Sequence, residues 1–288
     1  MATTANTAAN TAPSVPVRAS QGHKRLSQAV AAWFAVTVAG QLLFSAYIIA
    51  FYAPPALRGN FAGWSMHRQV IDGYVAGDTA GNVQFGAHVL MAAILTLGGM
   101  LQLWPALRAR VPGLHRWNGR VFVVTALLAA LGGLWLVWVR GSRLDMASGV
   151  SITLNAVLIL GFVGLAWRAA RDRDFAAHRR WAVRAFLVVS GVWFLRLGIM
   201  AFGLIASGLL GLPKTLSLAF FPIWSFGSYL VPLAVHELYL RARASDSVAA
   251  PYAMAGGMMV LTLLMMVGIV GAMMVFWVPP LRASGMFG

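Results

Sequence analysis

Cysteine is absent from this chain of 288 residues. Disulfides, cysteine-ligated zinc, iron–sulfur clusters and thiol catalysis are therefore excluded. Charge is scarce as well. Asp, Glu, Lys and Arg make up 10% of the residues and hydrophobic types 60%, whereas soluble domains carry about a quarter charged residues. That deficit rules out a disordered chain, a coiled coil and an ordinary water-soluble enzyme. Acidic residues are the rarer sign, 7 against 22 Lys and Arg, for a net charge of +15. A nucleic-acid binder can use such a surplus, but a chain with so little polar surface directs it to lipid. The expected partners are membrane lipids and their anionic headgroups, with no nucleic acid. Several signatures are also missing: the phosphate-binding glycine loop with its Lys-Ser/Thr, HExxH, GxSxG and CxxCH. ATP-driven transport by this chain alone, zinc proteolysis, serine hydrolysis and covalent haem are left without support.

Long apolar runs are what the chain has instead. A bilayer core of about 30 Å needs about 20 apolar residues as a helix. Runs of that kind predict seven transmembrane helices, near 29–53, 85–104, 120–139, 150–167, 184–207, 216–240 and 254–278. The fold class is all-α, a polytopic helical bundle forming one membrane domain over 23–288. Residues 1–22, rich in Ala, Thr, Asn and Ser, read as a disordered tail. The first run is too long and too far from Met1 for a cleaved signal peptide. The polar stretch 54–84 is the one long connection, and Trp64 to Val75 within it reads as a short helix on the membrane surface. His67, Asp72, Asp78 and His88 in and after it fit no known metal-ligand spacing.

The basic residues orient the bundle. Arg18, Lys24 and Arg25 precede the first span, Arg108, Arg110, Arg116 and Arg120 follow the second, and Arg168, Arg171, Arg173, Arg179, Arg180 and Arg184 follow the fourth. Arg241 and Arg243 follow the sixth. The alternate segments hold only Arg58, Arg68, Arg140, Arg143, Lys214 and Arg282. Cytoplasmic loops carry the Lys/Arg excess, so the N-terminus is expected in the cytoplasm and the C-terminus outside. Glycine pairs such as Gly98-Gly99 and Gly132-Gly133 read as close-packing points between helices, and the methionine-rich last span reads as soft packing.

The two most basic loops end alike. His115-Arg116-Trp117-Asn118-Gly119-Arg120 leads into one span and His178-Arg179-Arg180-Trp181-Ala182-Val183-Arg184 into another. Spans two and three therefore form a parallel repeat with spans four and five, which brings the two mouths together. Three uses are open to them. Trp and Arg can anchor in the headgroup layer. His115 and His178 can ligate a haem iron axially, with Arg116, Arg120, Arg180 and Arg184 holding propionates through bidentate forks. The same arginines can instead take an anionic headgroup or a quinone-like ligand.

Polar residues inside spans form a second set. Arg196 lies roughly 18 Å beyond Arg184 by the helical rise, and an ionisable group at that depth is a functional hypothesis by default. Tyr229 sits at matching depth, and Gln41 can reach that level, so Arg196 is expected to face a polar cavity with Tyr229 and Gln41. His88 is placed near the outer surface. His236-Glu237, near the inner end of span six, can pair with Arg241, with an inner-loop arginine or with His178, and can relay protons.

His88, Gly98-Gly99, Gln102, Pro105, Arg108, Pro112 and the run His115-Arg116-Trp117-Asn118-Gly119-Arg120 resemble a bacterial family of predicted membrane proteins. It is catalogued as domain of unknown function 2306, and the resemblance covers roughly residues 60–240. It implies a multi-pass protein of the bacterial inner membrane. The chain is also similar to haem-b cytochromes of the ascorbate-dependent ferrireductase type, whose four-helix core pairs histidines from alternate helices. That resemblance implies haem b at His115 and His178. Ser151 stands where a second pair would need histidine, and His115 stands at a loop mouth instead of within a helix. The leading expectation is a haem-b or quinone-linked membrane redox protein. The alternatives are a small-molecule transporter or lipid-binding protein using the Arg196 cavity, and a membrane scaffold or assembly factor.

Overall fold

A computed structural model describes residues 17–67, 73–213 and 215–283. No strand occurs among them, and seven helices are long and apolar enough to cross a membrane. Those spans are Gln21–Leu57, Thr79–Leu103, Pro112–Trp138, Met146–Arg171, Gly191–Leu209, Ala219–Ala244 and Ala249–Trp277, so the seven expected spans are all present. The side chains are arranged for lipid. Leu42, Val124, Leu128, Val157, Ile223, Val260 and Leu263 are exposed, while Thr37, Gln41, Ser45, Ser151, Ser190, Ser228 and Thr262 are buried. In hydrocarbon this inversion is favourable, because polar groups find partners only inside the bundle.

The helices run past the apolar stretches that predicted them. Helix α1 spans Val17–Leu57, α2 Thr79–Leu103, α3 Pro105–Arg110, α4 Pro112–Trp138 and α5 Met146–Arg171. Residues 17–22, expected in the polar tail, thus belong to the first turns of α1; residues 1–16 lie outside the described residues. Prolines open α3 and α4 at their first position, where the missing N–H costs nothing. Asp145 caps α5 in a reciprocal box with Ser148. The fifth expected span is not one rod. Helix α6 (Phe175–Val189) is separated at Ser190 from α7 (Gly191–Gly203), which passes into a π-helical turn at Leu204–Leu209. Helix α8 spans Thr215–Ala244, α9 Ala249–Ala272 with a second π turn at Met273–Trp277, and α10 Val278–Ala283.

Helices α2, α4, α5 and α6 close a four-helix ring: α2 packs on α4, α4 on α5, α5 on α6, and α6 touches α2. Leu95, Ala126, Val163 and Ala185, one from each helix, fill its centre. Helix α1 lies along α9 and α2, and α7 joins α9 to α8. The close approach of α7 and α9 requires Gly268, where an added Cβ would stand 2.5 Å from the Leu197 carbonyl oxygen.

The connection after α1 differs from expectation. Its helical piece is a 3-10 segment, Phe61–His67, and Trp64 is buried beneath it instead of lying in the membrane surface. The Trp64 indole N–H donates to the Tyr52 carbonyl at 3.2 Å, and its ring is seated against Gly86 of α2. Arg68 and Asp72, with Lys214 in a later connection, lie outside the described residues. No group of three or more His, Asp or Glu able to hold a metal forms among the described residues.

Candidate functional site

The loops after α2, after α5 and after α8, together with the start of α1, gather most of the arginines at one end of the bundle. His115 enters there on the first turn of α4, and His178 on the first turn of α6. These helices occupy opposite corners of the four-helix ring, and the two imidazoles lie within electrostatic range of each other. The repeat read from the sequence thus brings its two histidines together.

Each histidine is held differently. His178 Nδ1 lies 2.9 Å from the Ala166 carbonyl on α5; as donor there it leaves Nε2 with a free lone pair. The Gln102 side chain donates to the His115 backbone carbonyl at 2.8 Å, which ties the first turn of α4 to α2. His115 Nδ1 is buried without a hydrogen-bond partner. One helical turn further along α4, Asn118 donates to the Gly98 carbonyl at 2.8 Å.

The Trp–Arg pairs of the repeat also correspond. The Arg120 guanidinium stacks 5.2 Å from the Trp117 ring centroid, and Arg184 stacks 5.0 Å from that of Trp181. Trp117 is 65% exposed, suited to a lipid interface, whereas Trp181 packs on Phe162 at 5.6 Å. Arg116, Arg120, Arg179 and Arg180 are exposed. Arg184 is not available for a propionate. Its Nε and Nη2 contact Glu237 Oε1 on α8 at 2.8 and 2.6 Å, and its Nη1 donates to the Arg180 carbonyl. Of the partners the sequence allowed for Glu237, the inner-loop arginine is the one that bonds it. His236 stacks on Tyr239 at 6.2 Å and keeps its Nε2 buried without a partner.

Of the residues expected to share a mid-membrane cavity, Tyr229 and Gln41 both lie beside the helix break at Ser190 and Gly191, and Arg196 lies apart from them. Tyr229 turns to α5, its hydroxyl donating to the Ser151 carbonyl at 3.1 Å and accepting from the Ser151 hydroxyl at 3.4 Å. Gln41 turns to the helix break, its Nε2 donating to the Ser190 hydroxyl at 3.3 Å. Arg196 joins neither. It stacks 5.3 Å from the Phe44 ring centroid and lies within electrostatic range of Tyr47, Tyr52 and His88. Equal depth on two helices does not bring side chains together when they leave their helices in different directions.

His88 is also deeper than expected, because α2 begins at Thr79. It bonds the Ala129 backbone of α4 and packs against Gly133, while Gln84 one turn away packs against Gly132. The glycine pair is what admits two polar side chains between α2 and α4.

The opposite end has one strong polar feature that the sequence did not single out. Arg140 is 5% exposed at its side chain and reaches the Asp78 carboxylate at 2.8 Å and the Asn82 side-chain amide oxygen, Oδ1, at 2.8 Å. Its guanidinium also stacks on Phe85 at 5.6 Å. Asp78 accepts in addition from the Gly81 N–H as the N-cap of α2. The Arg140 hydrogen bond, and then the Gly81 N–H, hold the Asp78 carboxyl below its ordinary range.

No curated protein and no solved structure matches the chain. One family does match, described as predicted membrane protein (DUF2306), over residues 85–240. The match takes in the whole repeat with His115 and His178, as well as His88, Arg196, Tyr229 and Glu237, and stops short of α1 and α9. Since it covers more than half of the chain and the seven spans agree with it, this multi-pass membrane protein belongs to the DUF2306 family.

Proposed function

We propose that this is a membrane redox protein of the bacterial cytoplasmic membrane, with its basic end in the cytoplasm and a b-type haem held there between His115 and His178. The observation that carries the reading is that those two histidines stand on the first turns of α4 and α6, at opposite corners of one four-helix ring and within electrostatic range of each other. The residues fit the group. His115 brings an orphaned buried nitrogen, and His178 is oriented by a backbone carbonyl in the way that second-shell bonds orient metal-binding histidines. No third ligand accompanies them among the described residues, which suits an iron already held by a macrocycle.

A bound haem would supply one-electron transfer, with a quinone as the natural lipid-phase partner. The chain's own residues supply the surroundings. Arg116, Arg120 and Arg180, close in sequence to the two histidines, are exposed cations suited to propionates and to anionic headgroups. Arg184, through Glu237, fixes α6 against α8 and so positions His178. The Lys/Arg excess at this end supports its cytoplasmic placement.

The test is spectroscopic. Protein produced with haem supply and purified in detergent should give a b-type reduced-minus-oxidised spectrum. His115→Ala and His178→Ala should lose it, and His23→Ala should keep it. Colourless wild-type protein overturns the reading. A second reading, small-molecule transport, is favoured by the break at Ser190, where Gln41, Ser190 and the Tyr229–Ser151 pair line an interrupted helix. Saturable uptake by liposomes containing a colourless protein would support that reading.

A further inference from the structure

Arg196 carries a positive charge within a membrane span, with no counter-charge among the described residues. The acidic side chains among the described residues are placed elsewhere: Asp78 with Arg140, Glu237 with Arg184, and Asp145, Asp172, Asp174 and Asp246 at helix ends. Its guanidinium makes one hydrogen bond among the described residues, to the Val192 carbonyl at a long 3.4 Å. Five donors for one weak acceptor is an unusual surplus in a medium that supplies none.

The neighbours are donors too. Arg196 and Trp277 flank the same Phe44 ring, at 5.3 and 5.7 Å. The Trp277 indole N–H is buried without a partner, in the π turn that ends the last span. Such turns recur at functional sites. Tyr47, bonded to Tyr52, stacks on Trp277 at 6.4 Å. His88 differs: its ring bonds the Ala129 backbone, which leaves the buried, unpartnered Nδ1 as a lone pair within electrostatic range of the guanidinium. Arg196 itself is only half-buried, so it is open to the lipid phase.

A cation and an unpartnered N–H around one aromatic ring, with no acid among the described residues to satisfy them, select an oxygen anion. We infer that Arg196 and Trp277, beside Tyr52, bind the carboxylate of a membrane-soluble amphiphile such as a long-chain fatty acid. The chain of that ligand lies in the bilayer, so only its head needs a protein site. This inference does not depend on haem at the basic end.

The full chain in phosphatidylcholine nanodiscs, titrated with cis-parinaric acid, tests it through energy transfer from tryptophan. The acid should bind saturably and be displaced by oleic acid but not by methyl oleate. Arg196→Gln should weaken binding by about tenfold or more, the scale of a lost charge-assisted contact. Arg196→Lys should retain part of the affinity, and Trp277→Phe should weaken binding while keeping the ring. Equal, non-saturable partition of acid and ester would overturn the inference. So would an unchanged affinity in a folded Arg196→Gln protein. Displacement by decylubiquinone with no preference for acid over ester would overturn it in favour of a neutral carbonyl ligand.

Discussion

Arg184 and Glu237 meet through a single carboxylate oxygen, Oε1, which lies 2.6 Å from Nη2 and 2.8 Å from Nε. The arginine side chain is 16% exposed and the glutamate 43%. The pair therefore lies between a solvated surface bridge and a fully desolvated one. It is the charged tie between the four-helix ring and α8, and it sits one turn from the stacked Trp181.

A double-mutant cycle with Arg184→Met and Glu237→Gln should give a coupling of about 1–2 kcal/mol, between typical exposed and buried values. Thermal unfolding in detergent measures it. If the pair also positions His178, Glu237→Gln should shift the midpoint potential of any bound haem without removing it.

The Arg140–Asp78 contact predicts a pH dependence at the other end. Because the folded carboxyl titrates below its unfolded value, its contribution is present at neutral pH and is lost as pH falls through the folded value. Hydrogen exchange of residues 73–82, corrected for intrinsic rates, should stay protected from neutral pH down to about 4 and become unprotected below that. Asp78→Asn should be less protected at neutral pH and show no such transition.

Gly268 predicts a packing cost with its own control. Gly268→Ala drives a methyl group into the Leu197 carbonyl, and overpacking of this kind costs about 1–3 kcal/mol. Gly256→Ala, on the same helix, meets nothing within 4 Å and should leave the melting temperature unchanged.

The natural lack of cysteine makes orientation directly measurable. Asp172→Cys, in the basic connection after α5, should react with a membrane-impermeant maleimide only after cells are permeabilised. Arg58→Cys, at the opposite end, should react in intact cells. The reverse pattern would put the basic end outside.

The span count was legible because lipid demands unbroken apolar length, and the repeat because two short runs keep His, Arg, Trp and Arg in order. What stayed hidden is azimuth. Counting from Arg184 gives a distance along the chain to Arg196 but not the side it faces, so the sequence pairs it with Tyr229 while the structure stacks it on Phe44. The break at Ser190 left no mark in the sequence, since Ser-Gly within an apolar run is also compatible with a continuous helix. Arg140 read as an ordinary outer-loop charge. Its importance comes from a loop folding back over it, which no local pattern encodes.

The account rests on His115 and His178 lying within reach of each other at one end of one ring. In the cysteine-free chain, the doubly substituted protein His115→Cys/His178→Cys, treated with a short bifunctional maleimide in membranes, measures that directly. Mass spectrometry should find one intramolecular cross-link joining the peptides of α4 and α6. Two singly modified cysteines without a link between them, in protein that still folds, would contradict it.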